Sequence, residues 1–555
     1  MVMVFLTDIA RVKLLVRRGL PIILALILTL PFVNGNASSA AAQAIDEDRL
    51  DTTLLQAYFI SVDNFAGPVM MGGIGIPLVP NMIPPEKFMG MMRQMSQMAN
   101  FDLANMPANP GLLSAIYTSA DPRLVPGATV DPMDFGTMRW DPDGFDTTIT
   151  TLDQAMLIMK FAEWAKFFHK GFNGENILFP SPEMEAFLSL AFTADAMMIS
   201  QFTGANLMTE RGYITSINMD GGTRKVVDDT VDPFDQAVML WALSDFMLTI
   251  NDTERYPNLG AFAQQMATPE QMQQLMGMWG QTFQLVKANP VTEVKDRGLA
   301  IVALTWYAAA MGEQAPMVEI TGLVNSLARD LGDVETTAFE KAASIRGLIE
   351  AWRLTGNIRY LNTALDLWDD LEGMWDEKAQ TYAPEIGAAT YIYTPWDAGL
   401  IIGALSEIIA ASDNPLVGLI RQDVGVQATN RFMDFFGGTI MGSGFVHTPV
   451  PTPGRTGLLV SNISYDTSSE TWTVNDSRYT TAGAQYAANE MIWIEGTLQG
   501  RLTGYPDVTP LPPRTPSVGD ARISNWGLAG LAAVGAMLLG TGSLLLARRR
   551  VVIRK

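Results

Sequence analysis

The chain has 555 residues, of which 48% are apolar and only 17% are charged, a composition that supports a large core and excludes an intrinsically disordered chain. It contains no cysteine, which excludes disulfides, thiolate nucleophiles and cysteine-ligated metal sites. The formal net charge is −21. Residues 1–44 carry +3 and residues 548–555 carry +5, so the rest of the chain carries −29. Such an acidic body repels phosphate backbones, and we expect no nucleic-acid partner.

Residues 1–44 have the pattern of a secretory signal peptide. A basic segment ends at Arg18, an apolar stretch covers residues 20–33, and the small residues that follow end in Ala42-Gln43-Ala44, which fits a cleavage site. The alternative is an N-terminal anchor that is not cleaved. Both interpretations place the body of the protein outside the cytoplasm.

The C-terminal end predicts a membrane anchor. Residues 526–547 contain no charge and are long enough to cross a hydrocarbon core of about 30 Å. The basic tail, residues 548–555, follows directly and favours the cytoplasmic side. We therefore predict a single-pass transmembrane helix at the cell membrane, with the body outside and the tail inside. Residues 503–525, rich in proline and threonine, would form a stalk.

Residues 45–135 form the least regular part of the body. They contain a candidate helix at residues 46–65 and nine methionines between residues 70 and 106. Thioethers ligate Cu(I), but no histidine or cysteine accompanies these methionines. We interpret the methionine-rich segment as an adaptable apolar packing surface.

From residue 150 onward a short phrase recurs. It reads Leu152-Asp153-Gln154-Ala155 and then Phe234-Asp235-Gln236-Ala237, with weaker copies around Asp296, Glu340 and Asp397. Apolar residues at three- and four-residue spacing follow each phrase and predict a helix. Candidate inner helices begin near residues 150, 232, 294, 336, 395 and 482. Candidate outer helices cover residues 183–204, 269–288, 317–332, 357–373 and 413–435.

These helices predict a closed ring of hairpins. Because one hairpin cannot bury its apolar face alone, we expect six to stack into an (α/α)6 toroid over residues 136–502. Only five outer helices are evident, and residues 86–100 are the candidate for the sixth. Aromatic, turn-rich segments such as residues 213–221 and 375–382 predict short β-hairpins before several inner helices. These hairpins would gather on one face of the toroid.

Residues 342–382, a helical hairpin followed by an aromatic turn, resemble the hairpins of six-hairpin (α/α)6 glycosidases and of N-acylglucosamine 2-epimerase-like proteins. The resemblance covers about residues 140–500 and concerns architecture. It implies a mainly α fold and carbohydrate as the ligand. The epimerase-like proteins use histidines in the cup, whereas this chain has only His169 and His447, and neither opens an inner helix. That departure argues against epimerase chemistry.

In such a toroid, the starts of the inner helices surround a cup. Asp235, Asp397 and Asp153 are therefore candidate catalytic residues, because glycoside hydrolysis needs one protonated and one ionised carboxyl group. The alternative is that these acids only cap their helices and offset the helix dipole. Candidate substrate-binding aromatics, which would stack on sugar rings, are Trp396, Tyr393, Tyr391 and Trp140.

No resident metal or cofactor is predicted. The acidic turn at residues 141–146 has the alternating carboxylates of a Ca²⁺ loop, but it is too short for an EF-hand. The sequence therefore predicts a membrane-anchored extracytoplasmic protein that binds or hydrolyses a glycan, and leaves open whether it is an enzyme. The alternative is a non-catalytic adhesion or assembly protein on the same scaffold, in which side chains, including the methionine-rich segment, plug the cup.

Overall fold

The computed structural model describes residues 44–175, 181–220, 222–333, 337–412, 417, 421, 423–452, 454 and 456–498. The predicted signal peptide, except for Ala44, lies outside these residues, as do the stalk, the transmembrane helix and the tail. In the part of the chain that is described, no helix combines the length and the apolar character that a membrane crossing requires.

The described residues are mainly helical. They form fifteen α-helices: α1 (Glu47–Phe65), α2 (Leu78–Asn81), α3 (Pro85–Ala99), α4 (Thr151–Phe168), α5 (Pro182–Asn206), α6 (Pro233–Asn251), α7 (Pro257–Met266), α8 (Pro269–Ala288), α9 (Val294–Met311), α10 (Met317–Leu327), α11 (Ala338–Thr355), α12 (Ile358–Glu372), α13 (Pro395–Ser412), α14 (Val424–Phe435) and α15 (Thr481–Leu498).

Six of these helices form a closed inner ring. In ring order they are α4, α6, α9, α11, α13 and α15; each packs against the next, and α15 packs back against α4. After the first turn, nearly every residue of these helices is buried. This explains why their sequences are apolar on all sides rather than along one stripe. The ring places α4 opposite α11, α6 opposite α13 and α9 opposite α15.

An outer helix packs against each inner helix. The pairs are α4 with α5, α6 with α8, α9 with α10, α11 with α12, α13 with α14, and α15 with α1. The predicted six-hairpin ring is therefore present. The sixth outer helix is α1 and not the segment 86–100, so the ring includes residues well before 136. Helix α3 instead packs on the outside of α5 and buries Met91, Met92 and Met95 there.

Helix α1, rather than the predicted segment 86–100, is the sixth outer helix because α1 is more deeply buried. One face of α3 is apolar, which suits a surface helix, whereas α1 buries residues on several sides. These include polar side chains that find partners in distant parts of the chain: Ser61 donates to the carbonyl of Ala488 on α15 (2.7 Å), and Asp63 accepts from the backbone N–H of Thr456 (2.9 Å).

Glycines let neighbouring inner helices approach closely. A Cβ on Gly298 of α9 would lie 2.0 Å from the carbonyl oxygen of Ala343 on α11. A Cβ on Gly347 of α11 would lie 2.6 Å from the Cα of Gly298. At this seam the two backbones touch, which no larger residue permits.

Seventeen short strands are described: β1 (Gly75–Pro77), β2 (Leu113–Ile116), β3 (Ser119–Ala120), β4 (Phe145–Asp146), β5 (Thr148–Thr150), β6 (Met208–Thr209), β7 (Gly212–Tyr213), β8 (Ser216–Asp220), β9 (Thr223–Asp228), β10 (Trp375–Asp376), β11 (Thr381–Tyr382), β12 (Thr390–Tyr393), β13 (Val446–His447), β14 (Leu458–Leu459), β15 (Asn462–Asp466), β16 (Thr471–Asp476) and β17 (Tyr479–Thr480).

Three antiparallel sheets border the starts of the inner helices. Their strand orders are β5-β8-β9, β12-β15-β16 and β17-β3-β4. Strands β5 and β17 lead directly into α4 and α15, and a single residue, Thr394, separates β12 from α13. The predicted hairpins around residues 213–221 and 375–382 are present as β8-β9 and β10-β11. The sheets therefore stand around the end of the ring at which all six inner helices begin.

Candidate functional site

The rim of the ring is built from the first turn of each inner helix. Several of these helices start with a capping residue followed by proline or a small residue, which fixes where the helix begins. The second residues of the six helices are Leu152, Phe234, Lys295, Phe339, Trp396 and Ala482, and none of them is buried. The third residues are Asp153, Asp235, Asp296, Glu340, Asp397 and Gly483. The five acids predicted at the rim are therefore at equivalent positions.

Two aromatic side chains meet across the axis of the ring. The ring centroids of Phe234 and Trp396, which are on opposite helices, lie 5.8 Å apart in an edge-to-face contact. Trp396 also packs on Tyr486 of α15, with 4.4 Å between centroids. We call Phe234 and Trp396 the floor. Both residues are only half-buried, so they remain accessible to solvent.

Asp235 is the most unusual acid at the rim. Its side chain is nearly buried, and none of the described residues donates a hydrogen bond to its carboxyl group. Burial, followed by the negative charges of Asp232, Asp153 and Asp296, raises the pKa of Asp235 to about 7. At neutral pH this carboxyl group is therefore protonated in a large fraction of the molecules.

Asp153 lies at the closure of the ring and has a full set of partners. Its carboxylate accepts from the Thr150 hydroxyl (2.6 Å) and from the backbone N–H of Ala482 on α15 (2.8 Å). The Thr118 hydroxyl is a further donor. Burial outweighs these bonds and raises the pKa of Asp153 to about 6. This carboxylate joins the first inner helix to the last.

Asp397 caps its own helix. Its Oδ2 accepts from the backbone N–H (2.9 Å) and from the hydroxyl (2.6 Å) of Thr394. Burial raises the pKa of Asp397, while Thr394 and the positive charge of Lys295 oppose that rise. Asp397 therefore differs from Asp235, its equivalent on the opposite helix, which has several acidic neighbours and accepts no hydrogen bond from the described part of the chain.

The two remaining rim acids also differ from each other. Asp296 is half-buried, and burial raises its pKa to about 6, in spite of the opposing charge of the adjacent Lys295. Glu340 forms a capping box with Thr337, since its carboxylate accepts from the Thr337 backbone N–H at 2.9 Å. The structure thus brings Asp153, Asp235 and Asp296 together on three successive helices.

Among the four predicted aromatics, the structure places only Trp396 on the floor. Tyr393 is fully buried and donates to the carbonyl of Tyr382 (2.6 Å), and Tyr391 donates to Asp376 (2.9 Å) while stacking on Tyr465. Trp140 is 2% exposed. None of these three buried rings offers a face to a ligand in the cup.

Below the floor, large side chains fill the axis of the ring. Trp241 of α6 stacks on Trp493 of α15 (5.5 Å), which lies 6.3 Å from Trp306 of α9. The guanidinium of Arg346 lies over the ring of Trp241 at 4.7 Å and forms an ion pair with Glu490, and both side chains are completely buried. The cup is therefore shallow, and the plug consists of aromatic and charged residues of the inner helices. The methionine-rich helix α3 packs outside the ring.

Two groups of charged side chains, in which all four acids are buried, lie deeper in the ring, at its waist. Glu163 and Asp245 both contact the Lys166 amine, at 2.6 Å each. Across the ring, Glu350 and Glu407 both contact the Arg353 guanidinium. These four acids are the thirteenth residues of their helices, and Trp306 and Trp493 are the thirteenth residues of the other two.

The candidate calcium turn and the two histidines add no ligand set. Asp141 accepts from the backbone N–H of Asp143 (3.2 Å) and pairs with Arg123 (3.3 Å). Burial lowers the pKa of His169 to about 4, and its ring packs between Phe172 and Tyr256. Within the described ranges, no three or more histidine or acidic side chains are grouped as metal ligands.

The chain was compared with known families, curated proteins and solved structures. No known family and no curated protein matches the sequence. Cellobiose 2-epimerase from Bacillus thermoamylovorans is similar in structure, with 11% identity, 73% of this chain and 99% of that chain covered, and a TM-score of 0.43. A cellulase of C. cellulolyticum has 11% identity and a TM-score of 0.44, with 81% of this chain and 98% of that chain covered. A D-mannose isomerase has 10% identity and a TM-score of 0.43, with 74% of this chain and 97% of that chain covered.

The six pairs of inner and outer helices in the described residues form a six-hairpin (α/α)6 toroid, and this pairing confirms the architecture that the sequence predicted. At such low identity the similarity concerns the fold alone.

Sequence reasoning missed Phe234 as half of the floor, and it missed the Arg346–Glu490 pair with Tyr486. A signal for Arg346 was available, since it is a lone charge between Ile345 and Gly347 in an otherwise apolar run. An isolated charge in a buried helix indicates a buried partner. Its partner is 144 residues away and is not evident from the sequence.

Proposed function

We propose that this protein binds a carbohydrate in the shallow cup above Phe234 and Trp396. The observation that carries the proposal is the contact between these two half-exposed rings at the axis. Aromatic faces suit the apolar faces of sugar rings, and the carboxyl groups of Asp235 and Asp397, the next residues in the chain, suit sugar hydroxyls. Because the floor lies in the first turn of the inner helices, it favours a ligand that lies across the rim rather than one that enters the ring.

The test is calorimetric titration of the purified body with a panel of defined oligosaccharides: β-1,4-glucan, α-1,4-glucan, β-1,4-mannan and α-mannan. We expect at least one panel member to bind and Trp396→Ala to weaken it at least tenfold. Trp375→Ala, which removes a half-buried tryptophan from the β10-β11 hairpin, is the matched control and should bind normally. Equal binding by the Trp396→Ala and wild-type proteins would rule out the floor as the site.

A second candidate function is hydrolysis of the bound glycan, and the raised pKa of Asp235 favours it. A carboxyl group that titrates near pH 7 suits a general acid. In this scheme Asp235 gives its proton to the glycosidic oxygen as the bond to the anomeric carbon breaks. Water adds to that carbon, and Asp397, on the opposite helix, takes the proton that the water loses.

Product release from the panel oligosaccharides tests hydrolysis. We expect Asp235→Asn to abolish turnover while binding stays within about threefold of wild type, because the amide keeps the size of the carboxyl group but cannot give a proton. Asp397→Asn should also lower turnover. If wild type binds a sugar without releasing product over days, the protein is a binding module and the hydrolase scheme fails.

We also propose that the toroid is displayed outside the cell on a C-terminal membrane anchor. The support is the charge-free stretch 526–547 followed by the basic tail, together with the signal-like N-terminus. Protease added to intact cells should degrade the body of the full-length protein. Removal of residues 526–555 should release the body into the medium; retention of the truncated protein in the membrane would contradict the anchor.

A further inference from the structure

Tyr486 connects the floor of the cup to the buried charges beneath it. Its ring packs against Trp396, and its hydroxyl accepts a hydrogen bond from Nη1 of Arg346 at 2.8 Å. Tyr486 itself is 0% exposed. One end of this side chain thus lies under a half-exposed aromatic ring, and the other end is held in the interior.

Arg346 is fixed from several directions. It pairs with Glu490, and its guanidinium packs over the rings of Trp241 (4.7 Å) and Trp493 (5.5 Å). Burial alone would lower the pKa of Arg346, but Glu490, Tyr486 and Glu407 together outweigh burial and hold this pKa above its ordinary value. A charged group with a fully buried partner has little freedom to move, so it is a rigid support for the Tyr486 hydroxyl.

Two glycines of α13 leave the space that this arrangement needs. A Cβ on Gly399 would lie 2.6 Å from Cδ1 and 2.8 Å from Cε1 of Tyr486. A Cβ on Gly403 would lie 3.1 Å from both Nη1 of Arg346 and Oε2 of Glu490. Trp396 is on the same helix, one turn before Gly399. The backbone of α13 thus holds Trp396 above Tyr486 and gives the tyrosine ring a flat surface beside it.

We propose that Tyr486 is a positioning residue that sets the plane of Trp396, and that Arg346 and Glu490 act on the floor only through it. The plane of Trp396 in turn fixes the angle at which a sugar ring stacks. This inference deepens the proposed carbohydrate site, and only its effect on affinity depends on that proposal. The position of Trp396 can be measured whether or not a sugar binds.

The experiment uses protein labelled with 5-fluorotryptophan, in which the Trp396 ¹⁹F resonance is assigned by its absence from Trp396→Phe. We expect Tyr486→Phe to shift or broaden this resonance, because the ring stays but its anchor to Arg346 is lost. Affinity for the panel oligosaccharide that binds wild type should fall about three- to tenfold, the effect of losing one buried hydrogen bond. An unchanged Trp396 resonance in Tyr486→Phe would overturn the proposal.

Tyr393→Phe is the matched control, because it also removes a buried tyrosine hydroxyl with a hydrogen bond. The ring of Tyr393 packs on Phe339, Phe435 and Trp472, whereas that of Tyr486 packs on Trp396. It should leave the Trp396 resonance in place; a shift as large as that in Tyr486→Phe would contradict the specific role of Tyr486. If no panel sugar binds, the proposed function fails, and the ¹⁹F comparison still decides whether Tyr486 positions Trp396.

Gly399→Ala is a second way to displace the Trp396 ring. The added methyl group must push the Tyr486 ring away, so we expect a larger change in the Trp396 resonance than Tyr486→Phe produces. Gly277→Ala in α8, where a Cβ meets nothing within 4 Å, controls for the glycine-to-alanine change in a helix. An undisturbed Trp396 resonance in folded Gly399→Ala would count against the proposal.

Discussion

The first three inner helices and the last three are two versions of one design. Pro233-Phe234-Asp235 opens α6, and Pro395-Trp396-Asp397 opens α13, directly across the ring. One helix continues to Ala-Leu-Ser-Asp at residues 242–245, and the other to Ala-Leu-Ser-Glu at residues 404–407. At the waist of the first half, Lys166 pairs with two acids, and at the waist of the second half Arg353 does the same.

The two halves differ most between the rim and the waist. Trp241 and Gly403 both occupy the ninth position of their helices, and the space that the glycine leaves accommodates the Arg346–Glu490 pair. The first half has no such pair at the equivalent positions, where Met159 and Ala303 stand. The common design therefore builds the ring, while the residues that hold the floor from below occur once. Substitutions that exchange or remove equivalent residues test this comparison.

The largest effect is expected at the waist of the first half. Lys166→Met leaves Glu163 and Asp245 buried without their cation, and the Lys166 side chain is only 2% exposed. We expect a loss of about 3–5 kcal/mol in the free energy of unfolding. Arg353→Met should cost about 1–3 kcal/mol, because the Arg353 side chain is 21% exposed and water can replace part of the interaction. Urea denaturation at pH 7 measures both.

The control for this prediction is Lys287→Met, which breaks an exposed ion pair with Glu319. It should change the free energy of unfolding by less than about 1 kcal/mol. Equal losses for Lys166→Met and Arg353→Met would mean that the two waist groups are equivalent in energy as well as in position, and the distinction between the halves would then hold only at the rim and in the layer below it.

The next largest effect concerns the pH dependence at the rim. The pKa of Asp235 is about 7 in the folded protein and about 3.9 in an unfolded chain, so the folded state binds more protons between these values. Stability is therefore lost as pH rises from 4 to 7. Asp235→Asn removes this loss, and we expect it to be more stable than wild type by on the order of 4 kcal/mol at pH 8 and by nothing below pH 4.

Asp397→Asn is the comparison within the other half. Thr394 and Lys295 oppose the rise in the pKa of Asp397, so the gain in stability with pH should be smaller than for Asp235→Asn. Thermal unfolding of the wild type and the two variants from pH 4 to pH 8 gives the stability of each variant relative to wild type as a function of pH. A difference between Asp235→Asn and wild type that does not vary with pH would show that Asp235 has the same pKa in both states.

The local parts of this design could be predicted from the sequence, and the distant contacts could not. The inner helices begin at residues 151, 233, 294, 338, 395 and 481, each within two residues of the prediction. Caps, prolines and apolar runs are local signals. Helix α1 completes the ring by packing on α15, more than 400 residues later, and no local pattern records that contact. The contact of Phe234 with Trp396 likewise depends on the diameter of the ring.

Distant contacts also explain why most of the candidate substrate-binding aromatics are buried. Tyr391, Tyr393 and Trp140 are aromatic residues of the kind that stack on sugars, but in the folded chain other rings pack against them. Tyr465 packs on Tyr391, Tyr479 packs on Trp140, and Phe339, Phe435 and Trp472 surround Tyr393. The equivalent positions of Asp235 and Asp397 were evident from the repeated phrase. Their different hydrogen bonding was not predicted, although the residue before each proline, Asp232 or Thr394, already differs in the sequence.

That single difference supports the last and smallest effect, an exchange of caps. Asp232 places a negative charge beside Asp235, whereas Thr394 donates its hydroxyl to Asp397. Asp232→Thr should remove the charge and supply the donor, and so lower the pKa of Asp235 by about one unit, or about 1.4 kcal/mol. Thr394→Asp should raise the pKa of Asp397. Carboxyl ¹³C chemical shifts followed through a pH titration report both values. If neither pKa moves, the different pKa values of Asp235 and Asp397 arise from how deeply each carboxyl group is buried. The capping residues Asp232 and Thr394 would then have no part in that difference.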